Sequence, residues 1–290
     1  TLDKPRLLLR QLPDIGLYAT PVLSEDEQEF TGLISQHIKA GTLATLLTTL
    51  ETKLAQRSEV SPAMCYLLGQ LSLQQGALSQ ASKHLQQAVE QQDDYAKAWY
   101  ALGIAYSQQS KFPQASAALS KALQLGISDP HLYLYMGYSF AEQHAYQNAV
   151  LAYQQAKLRL LDNRQTDMAL LFAYNQAGQT DAALPLLNQL LESSPSDKSL
   201  WLYRANSHIA KQAFTSAIAS METAVRLGET TAANLLLLAQ LHMQYGSAKR
   251  AIDLYGLSNT YRDNPQHLFA AVSYFLAQRQ TNNAQAVRQA

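Results

Sequence analysis

The sequence predicts an all-α chain, an α-α superhelix of about six full helix-turn-helix repeats with divergent flanking helices. Three observations carry this. The stretch from Trp99 to Pro130, WYALGIAYSQQSKFPQASAALSKALQLGISDP, reads as a helix, a tight turn and a second helix, with small residues where the two would cross. Steps of 34 residues from Ala115 land on Ala81, Ala149, Ala183, Ala217 and Ala251, an alanine each time. Four residues further on, the same steps meet Leu85, Leu119, Tyr153, Leu187, Met221 and Tyr255, all large and apolar. Self-similarity at a fixed period of roughly 20 to 50 residues marks a repeat array, in which each unit buries its apolar face against its neighbours.

Taken in order, residues 1–24 fall outside the repeat. Pro5, Pro13, Pro21 and Gly16 interrupt short apolar runs such as Leu7-Leu8-Leu9, which predicts an extended N-terminal arm. Residues 25–61 form a divergent repeat-like helix pair. Ser24 caps the first helix with Glu27 three residues on, and the helix runs to about Ala40. Gly41 makes the turn, and the second helix runs from about Thr42 to Arg57 with Leu47 at the alanine position. Six repeats over 62–265 start at Pro62, Ala96, Pro130, Arg164, Lys198 and Ala232. Ser61-Pro62 and Asp129-Pro130 put a side-chain acceptor before a first-turn proline, and Asp197 and Thr230 serve later units. Gly76, Gly178 and Gly246 sit in the turn between paired helices, where a left-handed residue is often needed. The fourth repeat departs twice: Leu171 replaces a small residue and Pro185 lies inside the second helix, so a local irregularity is expected there. Residues 266–290 read as a partial repeat or capping helices, with one helix from His267 to about Gln280 and a shorter one after Thr281.

Trp99, Leu102, Gly103 and Tyr106, followed by Ala115, Leu119 and Ala122, give this repeat its identity: it resembles the tetratricopeptide repeat (TPR), with its W-x2-L-G-x2-Y and A-x3-F-x2-A pattern. The resemblance covers roughly Pro62 to Gln280 and implies a right-handed superhelix whose first helices line a concave groove. The family's fifth groove position falls on Tyr66, Tyr100, Leu134, Met168, Leu202 and Leu236. The ninth falls on Gln70, Ile104, Tyr138, Phe172, Asn206 and Gln240, and the twelfth includes Asn175. Such a groove is neutral, lined by tyrosine, leucine and amide side chains, and suits an extended peptide or an amphipathic helix of another protein. The same tyrosines and leucines also suit packing between repeats. The Lys, Arg and Asn set of the family's carboxylate clamp is missing from these positions.

Composition narrows the alternatives. Twenty-two basic residues balance twenty-two acidic ones, which argues against a nucleic-acid partner. No run of eighteen apolar residues is present, so no membrane insertion is expected. No nucleotide-binding, zinc-protease or nucleophile-elbow motif occurs, and no catalytic residue, metal or cofactor is expected. His208 and His242 share one register position, but its images are Ser72, Tyr106, Phe140 and Tyr174, which marks a packing site rather than a metal site. Cys65, the only cysteine, stands where the motif has a large apolar residue. The expected function is a non-enzymatic protein-binding scaffold or adaptor. The alternative is a self-associating assembly or export-machinery component of a bacterial cell envelope, a possible homo-oligomer working through its terminal helices and arm. An alanine- and glutamine-rich, low-charge composition without an initial methionine favours a periplasmic or cell-envelope location over the cytoplasm.

Overall fold

The computed structural model describes residues 23–54, 59–161, 163–258 and residue 272. Among them are fourteen α-helices and no strand. The arm up to Val22, the end of the second helix near Arg57 and the helices expected in 266–290 lie outside the described residues, apart from Val272. The chain divides into two compact units, one holding the described residues up to Ala173 and the other those from Tyr174 on.

In the N-terminal unit, Ser24 opens a 3-10 turn, Glu25–Phe30, rather than an α-helix, and α1 (Thr31–Ala40) and α2 (Leu43–Leu54) follow. The first three repeats are α3 (Pro62–Gln74) with α4 (Leu78–Gln91), α5 (Ala96–Gln108) with α6 (Phe112–Gln124), and α7 (Pro130–Glu142) with α8 (Tyr146–Arg159). Then α9 (Arg164–Gln176) begins, and the division between units falls inside it. The C-terminal unit holds α10 (Thr180–Ser193), α11 (Lys198–Ala210), α12 (Phe214–Arg226), α13 (Ala232–Tyr245) and α14 (Ala248–Ser258).

Packing follows the 34-residue register. Ala81, Ala115, Ala149, Ala183, Ala217 and Ala251 are each 0% exposed, so the alanine column is where backbones approach most closely. Glycine does the same on α3, α5 and α7. An added Cβ would lie 2.4 Å from Leu85 Cγ at Gly69, 2.5 Å from Leu119 Cγ at Gly103 and 2.6 Å from the Tyr153 ring at Gly137. In these three repeats the large residue four places after the alanine therefore seats directly on glycine. In the C-terminal unit Ala205, Ala239, Met221 and Tyr255 join one core with Leu235, Leu238, Leu254 and Val272.

Caps explain the helix starts. The Ser61 hydroxyl accepts the Met64 N–H at 3.2 Å, and Asp129 and Asp197 accept from His131 and Ser199 at 2.8 and 3.0 Å. The sixth repeat differs from expectation: Thr231, not Thr230, precedes α13, and its N–H donates to Glu229 Oε1 at 2.9 Å. Turns differ too. Gly76 and Gly178 are left-handed, at φ 72° and 70°, but Ser110, His144 and Gln212 hold the same conformation at the intervening turns. Gly246 has φ −133°, outside the left-handed region. Its lack of a side chain serves close approach instead, since a Cβ there would lie 2.5 Å from His242 Nδ1. Pro185 is exposed and α10 continues through it, while Leu171 is fully buried.

The divergent helix pair is tied to the first repeat by one carboxylate. Glu27, 1% exposed, accepts the Ser24 N–H at 3.1 Å and the Ser61 N–H at 2.9 Å, and also takes the Ser61 hydroxyl proton. Burial pushes this carboxyl up, but the hydrogen bonds from Ser61 and Ser24 outweigh it and hold the group below the usual range.

Candidate functional site

Helical register puts the fifth, ninth, twelfth and thirteenth residues of each first helix on one face. The structure sorts the sequence-predicted groove residues on that face into two classes. Ile104 is fully buried, and Tyr100, Leu134 and Phe172 are 4 to 6% exposed, so these four form the packed floor rather than an accessible surface. Tyr66, Gln70, Tyr138 and Met168 in the N-terminal unit are half-buried. In the C-terminal unit Asn175, Leu202, Asn206 and Leu236 are half-buried as well, and Gln240 is exposed.

Two kinds of contact recur on this face, in both the buried and the half-buried class. The residue 29 places after a fifth position stands just before the next first helix, and in two repeats the two side chains meet. The Tyr66 ring meets the Tyr95 ring with centroids 5.1 Å apart, and the Tyr100 hydroxyl donates to Asp129 Oδ2 at 3.1 Å. Asp129 Oδ1 also stands 3.0 Å from His131 Nδ1, so one carboxylate binds the cap, the tyrosine and the histidine. The ninth position packs on the residue that opens the previous repeat's second helix. Phe112 and Tyr138 meet edge-on at 5.6 Å, and Tyr146 and Phe172 at 6.4 Å. Sequence reasoning missed both partners, although the aromatic series at Phe112, Tyr146 and Phe214 was a readable signal.

A further series was also missed. In the second, third, fifth and sixth repeats the fourteenth residue reaches back to the preceding repeat, whereas the fourth has Ala177 there. Gln109 Nε2 donates to Leu78 O at 2.7 Å, and Gln143 Nε2 donates to Phe112 O at 3.1 Å. Lys211 pairs with Asp181, and Tyr245 stacks on Phe214 with centroids 4.2 Å apart. One register position thus joins neighbouring repeats by three different chemistries.

The half-buried face is uncharged in its chemistry. The Tyr66 hydroxyl accepts from the Gln70 amide, and burial, only partly offset by that bond, pushes the phenol up to about 12. Burial and then the Glu142 charge push Tyr138 up in the same direction. Both phenols therefore stay protonated donors through the neutral range. The surface can hydrogen-bond a backbone and cover apolar side chains, with His131, Lys97 and Glu142 at its margins.

The histidines share a register but not an environment. His242 Nε2 lies 2.9 Å from Glu222 Oε1, and its Nδ1 accepts the Ser247 N–H at 3.2 Å, which places the proton on Nε2. Arg250 donates to both oxygens of that carboxylate, at 2.8 and 2.9 Å. His208 is half-buried, and burial together with Arg204 and Lys211 lowers its pKa. Among the described residues no group of three or more His, Cys, Asp or Glu side chains could hold a metal ion, and no helix is long and apolar enough to cross a membrane. Cys65 is buried, and burial with the nearby Glu27 charge pushes its thiol up to about 11.

Two family models match the chain. One, described as a TPR repeat, covers residues 69–110, and one described as a tetratricopeptide repeat covers 100–164 and 173–232; together they span more than half of the sequence. No curated protein matches. Among solved structures, the C-terminal part of a TPR repeat-containing protein from Cytophaga hutchinsonii is 14% identical, over 80% of this chain and 94% of that one, with a TM-score of 0.58. YrrB, described as a TPR protein with an unusual peptide-binding site, is 16% identical over 63% of this chain and 92% of its own, with a TM-score of 0.55. A complex of Naa15 and Naa10 bound to HypK-THB gives a TM-score of 0.60 at 17% identity, over 86% of this chain but 39% of that one. Identities this low express a shared fold.

Proposed function

Because the chain belongs to the tetratricopeptide repeat family, we propose that it is a non-enzymatic scaffold that holds a segment of another protein against the first-helix face of its repeats. The observation that carries this reading is that on that face of the N-terminal unit Gln70, Tyr138 and Met168 are half-open while Tyr100, Ile104 and Leu134, at the same register positions, are buried as a packed floor. A rigid floor keeps the face in shape, and neutral amide, phenol and thioether groups favour a ligand segment without dense charge. The solved relative described as having an unusual peptide-binding site is in keeping with it.

The test is a displayed library of neutral and apolar peptides panned against the full chain. The same chain carrying Gln70→Lys and Met168→Lys, shown by circular dichroism and melting to be equally folded, serves as the comparison. Both positions are partly open, so the floor stays intact. Selected peptides should bind the variant at least about tenfold more weakly, since each new charge must be desolvated under a neutral ligand. Equal binding by both proteins refutes the first-helix face as the working surface.

A further inference from the structure

Another feature of the N-terminal unit belongs to a second helix and to a different surface. On α8 and just past its end, Leu151, Leu158 and Leu161 are 62, 70 and 81% exposed. Leu151 and Leu158 are seven residues apart, so they share one face of the helix, about 10.5 Å apart along its axis. The repeat register shows how unusual this is. The images of Leu151 are Lys83, Ala117, Pro185, Ala219 and Asp253, and those of Leu158 include Glu90, Gln124, Glu192 and Arg226. Only the third repeat presents leucine at both positions.

We propose that this row is a self-association surface on which two copies of the chain pair through α8, antiparallel about a two-fold axis. The sequence of the face is its own image in that orientation: in Leu151-Ala-Tyr-Gln-Gln-Ala-Lys-Leu158 an axis between Gln154 and Gln155 sets each Leu151 on the partner's Leu158 and glutamine on glutamine. Isologous pairing needs such a pattern, because every contact must serve twice. Charge also favours a second copy. The chain carries 22 basic and 22 acidic residues, so copies do not repel near neutral pH. Among the described residues Arg159 is the one charged residue on the exposed face, and its guanidinium is held 4.6 Å from the Tyr133 ring centroid and bonded to Gln155. An anionic lipid surface would call for a cluster of several lysines or arginines. Three leucines a side fall well short of the roughly 1,200 to 2,000 Å² of a stable interface, so the pairing is a reversible equilibrium.

The experiment is sedimentation of the full chain from about 5 to about 500 µM, a range suited to an interface below standard size. The weight-average mass should climb from the 32.1 kDa monomer toward twice that value. A Leu151→Glu, Leu158→Glu variant should remain monomeric with an unchanged dichroism spectrum, while Leu257→Glu, altering an exposed leucine on α14, should associate as the wild type does. Geometry is tested by oxidation. Gln155→Cys places two thiols beside the axis and should cross-link readily, whereas Asn148→Cys thiols would lie about 20 Å apart along the helices and should not. Cys65 is buried and does not interfere. The proposal is overturned if the wild type stays monomeric throughout, if the double variant associates undiminished, if Leu257→Glu abolishes association, or if the two cysteine variants cross-link equally. Co-sedimentation of a strictly monomeric chain with phosphatidylserine-containing vesicles would overturn it as well, and assign the leucines to lipid.

Discussion

Replacing Gly103 by alanine sets two effects of similar size against each other. Alanine is the better helix former by about 1 kcal/mol, which alone would stabilise α5. Yet the new Cβ would lie 2.5 Å from Leu119 Cγ, 2.7 Å from Cδ2 and 3.2 Å from the backbone nitrogen of the same residue. Carbon pairs rest at about 3.5 to 4.0 Å, so the overlap is about 1 Å, and Leu119 is fully buried with nowhere to turn. Because the backbone nitrogen is also close, a rotamer change cannot relieve the clash, and α6 must shift as a body. Overpacking of this kind costs about 1 to 3 kcal/mol, and with about 1 kcal/mol returned by helix propensity a net loss of up to about 2 kcal/mol is expected. The fifth and sixth repeats carry alanine at this register, Ala205 and Ala239, so spacing belongs to each pair and not to the motif. Urea unfolding followed by circular dichroism measures the loss. Gly32→Ala, where nothing lies within 4 Å, should instead stabilise α1. Adding Leu119→Ala to Gly103→Ala should cost about 1 kcal/mol less than the sum of the single changes. If Gly103→Ala is as stable as the wild type or more so, the contact with Leu119 does not set the spacing of this helix pair.

Glu27→Gln turns an amide toward groups that donate, and should cost about 2 to 3 kcal/mol, read as lost hydrogen-exchange protection in α1 and α2. The native carboxyl lies below its ordinary 4.5, so its stabilisation is complete above that pH and disappears as pH falls through the lower folded value; the glutamine variant should lose correspondingly less in acid. Gln212→Gly should stabilise by about 0.5 kcal/mol in thermal unfolding, because Gln212 holds φ 58° where glycine is unstrained. Cys65 should resist a thiol reagent at pH 8 in the folded chain and react at once in denaturant, since burial keeps its thiol protonated. Fast labelling of the native protein would remove it from the core.

The helix pairs were legible because each rests on a local rule repeated at fixed distance. Alanine at six images means six close crossings, and a serine or aspartate before a first-turn proline means a helix start whatever lies around it. The turns were legible only where glycine marked them. Ser110, His144 and Gln212 adopt the same left-handed conformation with no local signal, since only closure of the turn between two packed helices imposes it. Gly246 shows the converse. Its glycine serves the imidazole of His242, a contact that no turn rule contains.

The face of the first helices was harder to read, for a reason that the contacts make plain. Register specifies which neighbour a residue meets, while the size and chemistry of both partners decide whether it stays accessible. At the fifth position Tyr100 bends its hydroxyl to Asp129 and is buried, while Tyr66, meeting Tyr95, remains half-open. At the ninth, Phe172 against Tyr146 is buried, while Tyr138 against Phe112 is not. The fourteenth position makes the same point from the other side, since glutamine, lysine and tyrosine there each join a repeat to its predecessor. A groove carried over by position alone therefore mixes floor with surface, and the partner of each residue, 29 places on or in the preceding second helix, must be read with it. The same rule marks α8: among the described residues Leu151 and Leu158 stay exposed at register positions where other repeats carry Lys83, Ala117, Glu90 or Gln124, and it is this departure from the register that the proposed pairing of two copies answers.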